Sequence, residues 1–307
     1  MTDWILRSDQ DMSRNKKKDT GTVQESKTGK AMKILDILIP TLCIGVILFS
    51  GFKLYQIYRN YAEAEAIYNG IALYVNDETA SASSEEAAAM KEAGFSYLDV
   101  DYDSLLEINP DFKGWLYFPL MDLSYPVVIG DEDFNYLHVA FDGTKSSSGS
   151  IFIDAWSNPD LKDMATLIYG HNMKNGSMFG CLKKIRTGDV DVSEDPFFYY
   201  YTPTKAYKCH VFVYYLENVK GKTYNCPTDK ATYDEYMDYI LEKNEYEGGP
   251  ESVDISHRPK LVALSTCSGH NSGKRTVIQA VVEDTYTYSD DLVIGDTFTV
   301  SQNAEEK

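Results

Sequence analysis

The 307-residue sequence predicts a mainly β protein. The expected architecture is a closed eight-stranded β-barrel with N-terminal helices, a helical insertion before the strand that ends on Cys267, and one N-terminal transmembrane helix. Three observations carry this reading. A single long apolar run lies near the N-terminus, eight short β-prone runs separated by turn signals follow it, and one amphipathic helix interrupts that series.

Taken in chain order, residues 1–33 carry eight Lys/Arg against five Asp/Glu. Residues 37–52 are apolar apart from Thr41 and Ser50, at the short end of a bilayer span of about 17–25 residues. Lysines and arginines crowd the upstream side, and Tyr55, Tyr58 and Tyr61 follow as an interfacial aromatic belt would. This predicts a cytoplasmic basic tail over 1–33 and a single-pass anchor over 34–54 in the cell membrane, with the remainder extracellular. A cleaved signal peptide is the competing reading, because Ala62, Ala64 and Ala66 place small residues at alternate positions. The long upstream tail and the distance from the apolar run to those alanines favour the anchor.

Residues 55–95 are Ala/Glu-rich with few turn residues before Gly94 and read as a helical stalk, looser in the Ser/Ala/Glu stretch near Thr79 to Ala89, packed partly on the domain that follows. The domain itself occupies 96–307. Its β-prone runs are 114–118, 125–129, 149–153, 165–169, 197–201, 207–216, 261–266 and 276–282. Between the last strand pair and the run before it, Thr232-Tyr-Asp-Glu235 has capping-box spacing. Tyr233, Tyr236, Met237, Ile240 and Leu241 then share one helical face until Gly248-Gly-Pro250 stops the chain, a pattern of core packing.

Charge excludes one class of partner. Residues 54–307 hold twenty Lys/Arg against forty-one Asp/Glu, whereas nucleic-acid binding needs clustered cations. Cys181, Cys209, Cys226 and Cys267 show no CxxC pair and no zinc-ligand spacing, so neither a disulfide framework nor a metal site is expected.

The candidate chemistry lies at strand ends. The run from Lys260 ends on Cys267, and Arg275 opens the next, so a thiol and a guanidinium meet at facing ends of neighbouring strands. The run from Ala165 exits through Gly170 to His171 and Asn172, which puts an imidazole at the same rim. Such a set suits acyl transfer through a thioester: a nucleophile, an acid/base and an oxyanion or substrate clamp. His270, three residues from Cys267, is the rival imidazole, but its Ser268–Gly273 setting reads as a flexible connection. His210 and His257 read as structural or solvated, and Cys267 has the plainer alternative of a buried structural thiol.

Five stretches, in order, resemble the class B sortases, cell-surface cysteine transpeptidases of Gram-positive bacteria. They are Ile108-Asn-Pro-Asp-Phe-Lys-Gly-Trp-Leu116, Tyr125-Pro-Val-Val128, Gly149-Ser-Ile-Phe-Ile-Asp154, Ile168-Tyr-Gly-His-Asn-Met-Lys-Asn-Gly-Ser-Met-Phe-Gly180 and Leu264-Ser-Thr-Cys267 with Arg275. The resemblance runs from about residue 96 to the C-terminus, and the helical insertion is similar to class B rather than class A.

The resemblance implies that Cys267 is the nucleophile, His171 the acid/base and Arg275 the oxyanion or substrate clamp. It further implies that Ser265 contacts the sorting signal and that Leu137 lines the substrate groove. The substrates it implies are surface proteins with a C-terminal sorting motif of the Asn-Pro-x-Thr or Leu-Pro-x-Thr-Gly kind. The acceptor would be an amine of a lipid-linked peptidoglycan precursor, with no metal or organic cofactor. Two positions depart from the family pattern: Ala263 stands at the head of the Thr-Leu-x-Thr-Cys motif, and Ser268 follows the cysteine. The alternatives are a pilus-assembling sortase that joins pilins through lysine and a non-catalytic adhesin on the same barrel. The settings expected of an L,D-transpeptidase or a papain-like hydrolase are not seen.

Overall fold

The computed structural model describes residues 27–76, 85–130, 135–267 and 273–288. Two compact units divide between Gln56 and Ile57. In the first, helix α1 (Lys27–Ala72) begins, with Pro40 inside it. Its apolar window has a mean hydropathy of 2.1 and no buried residue, and it is long and apolar enough to cross a membrane. Ile37, Leu42, Ile47 and Phe49 are exposed there, as a lipid-facing helix would be.

From Ile57 onward α1 belongs to the second unit, where Ala64 and Ile71 are buried. The described part of 55–95 is helical in two pieces, α1 and a second helix that falls partly in the stretch 79–89 expected to be looser. α1 stops at Ala72, strand β1 (Val75–Asn76) pairs antiparallel with β2 (Asp99–Val100), and α2 (Glu85–Glu92) lies between them. Met90 of α2 is fully buried and Phe95 nearly so, so burial in the core, not helix propensity, decides the path here.

Helix α3 (Tyr102–Ile108) is capped by the Asp101 side chain, which accepts from the Ser104 N–H at 3.0 Å. The barrel strands follow: β3 (Phe112–Phe118), β4 (Leu123–Ile129), β5 (Ile151–Ile153), β6 (Ala165–Gly170), β7 (Phe197–Tyr201), β8 (Lys205–Asn218), β9 (Leu261–Cys267) and β10 (Lys274–Thr287). They close in the order β10-β8-β7-β3-β4-β5-β6-β9. The eight expected runs are these eight strands. The pairs β4–β5 and β6–β9 are parallel and the others antiparallel.

Alternate residues sort into two apolar clusters. Leu116, Ile151, Ile168, Tyr200, Leu264 and Ile278 belong to one, while Trp115, Leu167, Tyr201, Tyr215, Ala263 and Val277 pack with helix residues in the other. Both faces of these strands are therefore covered, which is why they read as nearly continuous apolar runs.

A short helix, α4 (Lys183–Thr187), precedes β7, and α5 (Lys230–Glu242) forms the insertion between β8 and β9. Its N-cap is Asp229 and not Thr232. The Asp229 carboxylate accepts from the Thr232 N–H at 2.9 Å, and the Thr232 hydroxyl accepts from the Asp229 N–H at 3.1 Å. Thr232 thus stands at the third position of the capping box, one turn later than its spacing to Glu235 suggested. Tyr233, Tyr236, Met237 and Ile240 are the buried face, as predicted.

Candidate active site

Ladder register brings the three predicted site residues together. Arg275, the second residue of β10, stands directly opposite Cys267, the last residue of β9. On the other side β6 runs parallel to β9, and Gly170 pairs with Thr266. One step further along these two parallel strands stand His171 and Cys267. Gly170 has no room for a side chain: an added Cβ would lie 2.5 Å from Ile151 and 2.7 Å from Phe179. The chain therefore leaves the strand close against the core and turns out at His171.

His171 is half-buried, and its Nε2 lies 2.6 Å from the Leu137 carbonyl oxygen. A carbonyl only accepts, so Nε2 carries the proton and Nδ1 is the acceptor nitrogen of the neutral ring. Burial pushes the imidazole below its ordinary pKa; the Leu137 carbonyl opposes this, while His138 and Arg275 add to it. The His138 ring centre is 6.3 Å away. The site thus favours a neutral imidazole, the form able to take a proton from a thiol.

Leu137 is half-buried in a 3-10 turn (Asn135–Leu137), and Gly149 of the following loop packs close against its carbonyl. Gly149 adopts φ +57, and a Cβ there would lie 2.4 Å from the Tyr136 oxygen and 2.7 Å from the Leu137 oxygen. This backbone contact needs glycine. Tyr68 of α1 donates to the Gly149 carbonyl at 2.5 Å and braces the same place.

Arg275 packs on two aromatic rings that the sequence reading did not single out. Its guanidinium carbon is 5.8 Å from the Tyr169 ring centre and 5.5 Å from that of Tyr224. The two rings stack at 6.3 Å and 25°. The Nε of Arg275 is buried and has no hydrogen-bond partner among the described residues. Leaving such a donor unmet costs about 1–3 kcal/mol, so the site presents an N–H direction awaiting an acceptor. Ser265 is buried and its Oγ lies 3.2 Å from the Tyr224 hydroxyl. Burial raises the Tyr169 phenol far above its ordinary pKa, with Asp154 adding and Arg275 opposing, so it stays protonated.

Cys181, Cys209 and Cys226 have no such setting. Burial pushes Cys181 up to about 11 and Cys226 up to about 12, and raises Cys209 further. All three are free thiols. Of the other histidines, His210 is bonded through Nδ1 to Glu283 at 2.5 Å, and His257 lies 3.5 Å from Asp254 on the surface. His270 and Ser268 lie outside the described residues.

A family model for the sortase domain matches residues 116–283, a span that runs from within β3 to within β10 and includes His171, Cys267 and Arg275. This chain belongs to the sortase family. Sortases are cysteine transpeptidases, and the relatives place this one in class B. Sortase B of Listeria monocytogenes is 28% identical over 241 residues, covering 77% of this chain and 92% of that protein. Sortase B of Clostridium perfringens superposes with a TM-score of 0.54 at 28% identity, over 59% of this chain and 98% of that one. A Streptococcus pyogenes class B sortase involved in pilus biogenesis superposes with a TM-score of 0.53 at 27% identity, over 60% and 98% of the two chains. Tyr169 announces itself only weakly, as the aromatic before Gly170-His171. Tyr224 has no sequence signal, because it comes from the turn Lys222–Tyr224, forty-one residues ahead of Ser265 in the chain.

Proposed function

We propose that this class B sortase is a membrane-anchored enzyme that cleaves a C-terminal sorting motif after its Thr and joins the released carbonyl to an amine of a lipid-linked cell-wall precursor. In this reading residues 1–33 are a cytoplasmic tail, 34–54 a single-pass anchor, 55–95 the connecting segment and 96–307 an extracellular catalytic domain. Support for the anchor comes from the apolar helix α1 and the basic residues in the sequence ahead of it.

The observation that carries the mechanism is the register of three strands, with Cys267 opposite Arg275 and His171 one step past the Gly170–Thr266 pair. The Cys267 thiol passes its proton to Nδ1 of the neutral His171 as sulfur bonds to the carbonyl carbon. Negative charge builds on the carbonyl oxygen, where the Nε–H of Arg275, without a partner among the described residues, supplies a directed donor. The C–N bond then breaks, the leaving amine takes the proton from His171, and a thioester remains on Cys267. The acceptor amine attacks that thioester, its proton goes to His171, and the thiol is restored. Leu137 and Ser265 line the groove in this reading, with Leu137 also orienting His171 through its carbonyl.

Trapping tests it. Incubation with a peptide of the Asn-Pro-x-Thr or Leu-Pro-x-Thr-Gly kind should add the mass of its N-terminal part to Cys267, with Cys267→Ala carrying no adduct. Binding without any adduct would point to the adhesin reading. The pilus-assembly reading is favoured by one observation, the similarity to the Streptococcus pyogenes enzyme. A lysine-bearing pilin peptide and a peptidoglycan stem peptide offered together decide between the acceptors by the mass of the product.

A further inference from the structure

Opposite Arg275 on the other neighbouring strand, β8, stands Glu217. This carboxylate is fully buried in a strongly acidic protein, a costly placement unless donors surround the charge. Here they do. Oε2 accepts from the Tyr239 hydroxyl at 2.6 Å and from Thr223 Oγ1 at 2.8 Å. Oε1 accepts from the Asn218 N–H at 2.7 Å and from Lys243 Nζ at 3.3 Å. Burial by itself pushes the Glu217 carboxyl upward, but these four donors outweigh it and hold it below its ordinary value.

The donors come from three places. Asn218 ends β8, Tyr239 and Lys243 belong to the C-terminal end of the α5 insertion, and Thr223 lies in the 3-10 turn Lys222–Tyr224. Gly221 leads into that turn so closely that a Cβ on it would lie 2.0 Å from the Glu217 carboxyl carbon. Thr223 is held twice more, since its Oγ1 accepts from the Tyr215 hydroxyl at 2.7 Å and its carbonyl accepts from Tyr236 at 3.3 Å. The next residue in the turn is Tyr224, which packs on Arg275 and reaches Ser265.

We propose that Glu217 is a positioning residue for the transpeptidation: by binding Thr223 and the end of α5 together, its carboxylate sets the Lys222–Tyr224 turn so that Tyr224 lies against Arg275 and Ser265. The assignment rests on the proposed groove at Arg275. It gives the class B insertion a task, because α5 contributes Tyr239 and Lys243 to the carboxylate and so fixes a site residue that the barrel alone does not supply. No described contact joins Glu217 to the reacting groups themselves, so its influence passes through Tyr224.

The test uses the extracellular domain with its anchor, as parent, Glu217→Gln, Tyr224→Ala and the double variant. The near-isosteric Gln keeps the packing and removes the charge that four donors saturate. Loss of a charge-assisted bond of this kind implies about tenfold or more. Amide hydrogen exchange over residues 221–225 should therefore quicken by about that factor in Glu217→Gln, while β3 and β4 keep parent rates. Peptide kcat/KM should fall about tenfold, whereas alkylation of Cys267 by iodoacetamide keeps its parent rate. In the Tyr224→Ala background the same substitution should cost less than about twofold, because its effect runs through the missing ring. Unchanged exchange at 221–225, or losses that multiply independently in the double variant, would overturn the proposal. The exchange readout needs no peptide, so a parent protein that cleaved nothing would count against the proposed reaction and leave the positioning role to be decided by exchange alone.

Discussion

His171 donates through Nε2 to the Leu137 carbonyl at 2.6 Å, across thirty-four residues of sequence. That bond chooses the tautomer, and Gly149 packs so closely against the same carbonyl that no Cβ fits between them. Histidine orientation in this enzyme is therefore a backbone property of the 135–150 loop as much as of the strand that carries the ring.

Gly149→Ala tests that relationship. The new Cβ meets two backbone oxygens at a positive φ, so it should cost about 1–3 kcal/mol in stability and lower peptide turnover further than Gly143→Ala, which has open space around its Cβ position. Thermal melts and turnover of both variants check this. Equal turnover in the two would detach Leu137 from the orientation of His171.

Titration of His171 followed by NMR should give a midpoint below the ordinary histidine value of about 6.5. Burial is the main cause, so Arg275→Ala should raise the midpoint only in part. The folded chain resists protonation that the unfolded chain accepts. The stability His171 contributes is thus present above pH about 6.5 and declines as pH falls toward the lowered folded value. His171→Gln should melt with a shallower loss of Tm across that window.

Arg275→Lys should lose turnover about as far as Arg275→Ala, roughly 10²- to 10³-fold, because an ammonium lacks the directed Nε–H and the planar face that Tyr169 and Tyr224 receive. Both variants should melt near the parent. Near-parent turnover in Arg275→Lys would reduce the residue to a local positive field.

Among the thiols and imidazoles, Cys267→Ala should abolish peptide cleavage and His171→Ala should lower it by about 10²- to 10⁴-fold. Cys181→Ala, Cys209→Ala, Cys226→Ala and His270→Ala should keep it. Cys181, Cys209 and Cys226 are held protonated by burial, so their replacement bears on packing rather than on the reaction. A fluorogenic sorting peptide measures the whole series, and a His270→Ala loss exceeding that of His171→Ala would move the acid/base into the 268–272 segment.

The strands were legible because each is covered on both faces, which writes a dense apolar run into the chain at every one of the eight positions. The neighbouring placement of Cys267, Arg275 and His171 was legible for a related reason: a residue at the end of an apolar run stands at a strand end wherever that run goes. The helix in the insertion was legible in its buried face but not in its start. Asp229 and Thr232 form the capping box through a reciprocal bond that spacing to Glu235 did not reveal.

What the amino-acid sequence determined by itself was local: strand and helix periodicity, the apolar N-terminal span, and which residue types stand at strand ends. Closure of the barrel decided the rest. It brings β6 beside β9 in parallel, sets Leu137 under His171, folds the turn carrying Tyr224 onto Arg275 and buries Glu217 beneath that turn. None of these contacts has a periodic trace, because each joins a loop to a strand through backbone oxygens or single side chains. The free energy that makes them comes from burying the strands and α5 together, not from any preference of the residues that meet.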